Sequence, residues 1–221
     1  MLALAAHNTM LMHIDVQARC AHKFGRHFDG IIDFIKAGRA AGAAVTGVLL
    51  DEKHPGRPLG VNEVIGDYNK RDSADDRFGM LVPPVNGDRF FSKQGPSILQ
   101  GVQGAAVRHH VAHAIERGVT AVAVAGYYAD QCVRLSVVAL ADEFPELTFY
   151  VVDDLCRAER EPYSMRHQFA GMRNVKVVDS TGIRIVSAHP APAQTRRRST
   201  VPPSPPNRPP FARLRPPTVA G

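Results

Sequence analysis

The chain has 221 residues, 44% hydrophobic and 22% charged, an ordinary globular composition that excludes wholesale disorder; no run approaches the roughly 18 unbroken apolar residues of a membrane-spanning helix. The formal net charge is +6, but residues 190–221 carry six arginines (Arg196, Arg197, Arg198, Arg208, Arg213, Arg215) and no acid, so residues 1–189 are neutral and nucleic acid is not an expected partner of the body. Three cysteines (Cys20, Cys132, Cys156) without a CxxC pair argue against a disulfide framework or a structural zinc site, and the start MLALAAHNTM has no basic, cleavable leader, so the expected compartment is the cytosol.

Residues 9–17 (TMLMHIDVQ) form a short apolar run ending in a charge, as a buried parallel strand ends. Phe28, Ile31, Ile32, Phe34 and Ile35 recur at helical spacing across 28–42, which stops at Gly42. A strand follows over 43–52, and then Gly, Pro, Asn and Asp make 53–79 a long loop region. Residues 88–93 (DRFFSK) read as a strand edge or extended turn, 101–118 as a helix and 120–127 (TAVAVAGY) as the most strand-like segment. A helix over 132–144, a strand over 147–154, a short helix over 162–173 and a final strand over 175–180 complete the pattern. Strands alternating with helices at this spacing predict an α/β domain over 1–188, in three αβα layers around a central, mainly parallel sheet of Rossmann-like topology. Residues 189–221 hold ten of the 17 prolines and are expected to be a disordered or polyproline-like tail. Such a tail suits proline-reading domains or weak polyanion electrostatics, though a solvated extension is the plainer reading.

In an open parallel sheet, reactive residues gather beyond the carboxyl ends of the strands. Asp15 ends the first strand, Lys93 ends FFSK, and Cys132 follows the central strand across the turn YADQ. That turn puts Cys132 at the first turn of a helix, where unpaired N–H groups and the helix dipole favour a thiolate. A carboxylate, an ammonium and a thiol converging on one crevice are equipped for covalent acyl chemistry. His109, His110 and His113 share a helix but lack a third ligand and an apolar wall, so they read as a solvated face rather than a metal site. GVQGAA (101–106) fails the GxGxxG spacing and follows no strand, and Cys20 and Cys156 read as small buried hydrophobes.

The blocks HIDVQ (13–17), FSKQGPS (91–97) and VAVAGYYADQCV (122–133), followed by RLSVVALADEF and YVVDDLCRA, resemble the isochorismatase-like cysteine hydrolases over nearly all of residues 9–180. The resemblance implies a proton acceptor and donor at Asp15, an orienting and polarising lysine at Lys93 and a nucleophile at Cys132. It also implies a non-proline cis peptide between Tyr127 and Tyr128, with the backbone N–H groups of Tyr128 and Cys132 aimed at one oxyanion. Gln17, Ser97 and Ala129 fall beside these positions as candidate pocket residues. The departures concern the substrate. Nicotinamidases of that family hold a metal with an Asp-x-His pair and a further histidine, whereas residues 51–93 offer His54, Asp67, Asp72, Asp75 and Asp76 without the pair, so no metal and no cofactor is expected. Pro96-Ser97-Ile98 replaces a usual Ser-Ala-Phe, and Tyr127 and Tyr128 replace a small pair and are expected to narrow or roof the pocket, with 53–80 forming part of its mouth.

Cys132 favours hydrolysis of a C–N bond in a small amide, ureido or imide substrate through a thioester. Hydrolases of isochorismate itself, a vinyl ether, tend to lack that cysteine; a catalytically idle binding scaffold is the other alternative. The expected partners are a small-molecule substrate and, as the resemblance implies, further copies of the chain closing the pocket in a homo-oligomer, with no membrane partner.

Overall fold

Branched and small apolar residues build six parallel strands: β2 (Thr9–Ile14), β3 (Ala44–Leu50), β5 (Arg89–Lys93), β6 (Ala121–Tyr127), β7 (Thr148–Arg157) and β8 (Val175–Val178), with the two-residue β4 (Pro58–Leu59) antiparallel at one edge. The computed structural model describes residues 1–21, 27–51, 58–71, 73–160 and 162–187; the tail expected from 189, and His54 and Asp72, lie outside them. Sheet order is β4-β5-β3-β2-β6-β7-β8. The chain enters at the centre with β2, moves outward to β3 and β5, and returns to β6 on the other side of β2. Its topological switch point therefore lies between β2 and β6, where doubly wound sheets place their ligands.

Around the sheet run α1 (Ala18–Ala21), α2 (His27–Ala40), α3 (Val61–Tyr68), α4 (Gly104–Glu116), α5 (Arg134–Glu143) and α6 (Met165–Gln168). β6 is buried along its whole length, and its alternation decides which layer each residue serves. Val122 and Val124 meet Val107 and Val111 of α4 and Val137 and Leu140 of α5 on one face. Ala121, Ala123, Ala125 and Tyr127 meet Ile31 and Ile35 of α2 on the other. The α2 side is packed closely enough that a Cβ added at Gly38 would stand 2.2 Å from Leu11 Cδ1. A smaller cluster of Leu49, Leu59, Val64, Phe78, Met80 and Phe90 fills the edge beneath α3.

The structure corrects the predicted elements in four places. Helix α3 lies inside the expected loop region: Val61, Val64 and Tyr68 make an apolar stripe that the flanking Gly60 and Asn69 and the internal Gly66 obscure. β1 (Leu2–Ala5) and β9 (Ile183–Val186) form a separate parallel ribbon too short to announce itself in sequence. The expected helix over 162–173 is a single turn, α6, capped by the Ser164 hydroxyl accepting from the His167 N–H at 3.3 Å. β7 runs on to Arg157, past a register shift opposite Val124 and Gly126. Among the described residues no helix is long and apolar enough to cross a membrane.

Candidate active site

Each of the three reactive residues is delivered by a strand end. Asp15 directly follows β2 with φ 53, a left-handed conformation that aspartate tolerates better than most side chains. Its N–H still donates to Val48 O at 2.8 Å, while its carbonyl turns away to accept the Gln17 N–H at 2.8 Å. Lys93 is the last residue of β5, in register with Leu50 of β3. β6 approaches β2 at Gly126, whose φ is 140 and where a Cβ would stand 2.1 Å from Ile14 O, so only glycine lets the two strand ends meet. The Tyr127–Tyr128 peptide that follows is cis. A five-residue π-turn, Ala129–Val133, then carries Cys132 ahead of α5, with Val133 N–H closing on Tyr128 O at 3.0 Å.

Lys93 Nζ lies 2.8 Å from Asp15 Oδ2, 3.2 Å from Cys132 Sγ and 3.0 Å from Gly95 O, which satisfies the three donors of an ammonium. Asp15 is 1% exposed and Lys93 0%, while the thiol-bearing Cys132 is 7% exposed. Burial pushes the Asp15 carboxyl up, against the pull of the adjacent Lys93 ammonium and its hydrogen bond with Cys132. Burial works against the Lys93 ammonium, but the Asp15 carboxylate and Cys132 outweigh it and hold the group above its ordinary value. Burial also pushes the Cys132 thiol up, the Asp15 carboxylate adds to this, and Lys93 only partly opposes it. Burial and the neighbouring Asp15 carboxylate thus oppose the thiolate expected from the start of a helix, while Lys93 supports it.

The other candidates separate by what their polar atoms already hold. Gln17 is 0% exposed and its amide is taken up by the framework: its Nε2 donates to Leu50 O at 3.2 Å and Phe78 O at 2.7 Å, and its Oε1 accepts from Leu50 N–H at 2.8 Å. Ser97 accepts the Leu99 N–H at 3.3 Å and lines an open cleft of about 370 Å³ with Arg108 and Leu135, between α4 and α5. Ala129 is buried in the same apolar cluster as Cys132. Tyr127 does not roof the site; it is wholly buried under α2, with His27 Nδ1 3.2 Å from its hydroxyl. Tyr128 is partly buried and hydrogen-bonds the Cys20 thiol, which brings Cys20 to the edge of the site, a placement the sequence reading missed. His110 leaves the expected solvated face and turns inward, its Nε2 2.9 Å from Thr46 Oγ1, whereas His109 and His113 stack in the open.

Four of the described acids between β3 and β5, Asp51, Glu63, Asp67 and Asp76, are spent on their own loop. Asp67 accepts the N–H groups of Arg77 and Phe78 at 2.8 and 3.0 Å, Asp76 accepts that of Gly79 at 2.6 Å, and Arg77 pairs with Asp51 and, at 3.1 Å, with Glu63. Among the described residues no cluster of histidine, cysteine and carboxylate side chains could hold a metal ion.

No family model and no curated protein matches the sequence. Solved structures do. An N-carbamoylsarcosine amidase from Thermoplasma acidophilum is similar at TM-score 0.54 and 17% identity, over 84% of this chain and 99% of that one. A cysteine hydrolase from Pseudomonas syringae pv. phaseolicola is similar at TM-score 0.55 and 14% identity, over 80% and 91%. An isochorismatase family protein from Desulfovibrio vulgaris subsp. vulgaris strain Hildenborough is similar at TM-score 0.51 and 20% identity, over 82% and 94%. At these identities the likeness is one of fold: the chain has the three-layer α/β architecture of isochorismatase-type hydrolases.

Proposed function

We propose that the chain is a cysteine hydrolase cleaving a C–N bond of a small amide, ureido or imide substrate. The supporting observation is Lys93 Nζ standing 2.8 Å from Asp15 Oδ2 and 3.2 Å from Cys132 Sγ beyond the carboxyl ends of β5, β2 and β6. As Cys132 Sγ attacks the carbonyl carbon, its proton passes to Asp15, and the carbonyl oxygen takes up the charge. Burial raises the proton affinity of both the carboxylate and the thiol, and their hydrogen bond gives the proton a direct path between them. Lys93 stays cationic and offsets whichever neighbour carries the negative charge. The family resemblance assigns the backbone N–H groups of Tyr128 and Cys132 to the oxyanion. Collapse breaks the C–N bond, Asp15 returns its proton to the leaving nitrogen, and a water deprotonated by Asp15 then splits the thioester and restores the thiol. The similar structure named as an N-carbamoylsarcosine amidase supports the ureido branch of this substrate class.

The test is ammonia release from a panel of small primary amides, ureido compounds and imides, with isochorismate alongside. At least one C–N substrate is expected to turn over with an acyl adduct at Cys132, and Cys132→Ala is expected to be inactive. Amide turnover that survives Cys132→Ala, or turnover of isochorismate alone, overturns the proposal.

A further inference from the structure

Parallel pairing of β2 with β3 places Ile14 opposite Val48, and the Asp15 N–H continues the ladder onto Val48 O at 2.8 Å. In a regular parallel ladder the next bond runs from the Leu50 N–H to the Asp15 carbonyl. Here the carbonyl has left the sheet: at φ 53 Asp15 presents it to the Gln17 N–H, at 2.8 Å. Leu50 N–H instead donates to Gln17 Oε1, at 2.8 Å. The same amide donates back to Leu50 O at 3.2 Å and to Phe78 O at 2.7 Å, so one buried side chain supplies the donor and acceptor of a peptide unit. Arg19 reinforces it from outside, donating to Leu50 O. Leu50 is in turn the register partner of Lys93, and the next N–H, of Asp51, donates to Lys93 O at 2.8 Å. The Gln17 carbonyl accepts the Cys20 N–H at 2.9 Å, and the residue lies opposite Met80 in an isolated antiparallel bridge.

We propose that Gln17 is a positioning residue: its side-chain amide replaces the Asp15 carbonyl in the β2–β3 ladder and so holds Asp15 in the left-handed conformation that sets its carboxylate against the Lys93 ammonium. The inference rests on the triad reading above. Without the amide, the Leu50 N–H regains a protein partner when the Asp15 carbonyl swings back into the ladder, which returns φ to the extended range and withdraws the carboxylate from Lys93. Cys132 then keeps its ammonium neighbour and loses the carboxylate that opposes its ionisation.

The experiment is the pH profile of iodoacetamide labelling in the full chain, read at Cys132 by peptide mass spectrometry so that Cys20 and Cys156 are scored separately. Asp15→Asn is expected to move the Cys132 midpoint to lower pH. Gln17→Ala, and Gln17→Met, which preserves volume but has no comparable acceptor, are expected to move it the same way and to lower kcat with KM little changed. If Asp15→Asn leaves the midpoint in place, the triad reading fails and the role of Gln17 falls with it. If Asp15→Asn shifts the midpoint and folded Gln17 variants keep the wild-type profile, Gln17 is a structural staple only and the inference is overturned while the triad stands. Should neither Gln17 variant fold, amide hydrogen exchange at Leu50 in the wild-type chain decides: protection matching its β3 neighbours supports the inference, and exchange at loop rates overturns it.

Discussion

The reactivity of a buried thiol that shares a carboxylate and an ammonium depends on where one proton sits. Cys132→Ala is therefore expected to abolish turnover with only a small fall in melting temperature, since it removes a single heavy atom from the buried cluster; calorimetry and an ammonia assay on one preparation check both halves. Asp15→Asn is near-isosteric but cannot carry the proton, so kcat is expected to fall roughly 10²–10⁴-fold. A rate within a few fold of wild type would reduce Asp15 to a strand-end cap. The convergence of these three residues was legible in the sequence because Asp15 and Lys93 end strands, Cys132 follows the central strand across a turn, and the blocks around them resemble a known family. The part of Gln17 was not. A polar residue two positions beyond a reactive aspartate looks like a pocket residue, and only its saturation by Leu50 and Phe78 reveals that it faces the framework.

At the scale of the element, the meeting of β2 and β6 depends on one missing methyl group. Gly126→Ala would place a Cβ 2.1 Å from Ile14 O at φ 140, and backbone on one side and strain on the other leave no inexpensive relaxation. A loss of about 3 kcal/mol or more is expected, read as the shift in a urea unfolding midpoint; a variant as stable as wild type would mean the strands can part without cost. Element types were easiest to read where burial is two-sided, as in β6, whose unbroken apolar run admits no other role. They were hardest where a helix covers only an edge. Helix α3 packs Val64 on the small cluster around Phe78 and Phe90 and leaves its other face toward water, so Asn62, Glu63, Gly66 and Asp67 interrupt its apolar residues. His110 was misread for a related reason: its two histidine neighbours are exposed, and a helical face changes character within one residue.

Across the whole molecule the buried histidines set the acid limit of stability. His13 is wholly buried and held neutral, its pKa lowered by burial, with Arg39 adding to it, from 6.5 to about 3. His110, by burial and then Arg89, is lowered to about 4, and burial lowers His27 as well. The unfolded chain takes up these protons as pH falls below 6.5 and the folded chain does not, so stability is present above 6.5 and is lost downward through the lowered values. His13 alone gives a slope approaching about 1.4 kcal/mol per pH unit in that window, and the two half-buried histidines add smaller amounts discounted for solvent. Asp15, raised by burial, works in the opposite sense as pH falls toward the ordinary carboxylate value of 3.8. Urea melts at descending pH should show the decline, His13→Phe should flatten it, and a level profile would refute the assignment. Charge at this scale is a property of sequence: removing residues 190–221 takes the formal net charge from +6 to neutral and should abolish salt-sensitive retention on heparin, with undiminished retention locating the basic surface in the body.

The position of β2 also matters while the protein is being made. It is the first of the six parallel strands to leave the ribosome and lies in the middle of the sheet, between β3 and β6. One of its edges finds β3 within a few dozen residues, but the other waits until residues 121–127 have been synthesised. Through that interval a nascent chain displays an unpaired row of backbone groups flanked by Met10, Leu11, Met12 and Ile14, all of which end at 0% exposure. Such an edge is a template for pairing between chains. A fragment stopping before residue 119 should aggregate unless a holdase chaperone is supplied, whereas one extended through β6 and α5 should gain solubility together with the first contact between Lys93 and Cys132, 39 residues apart in the chain.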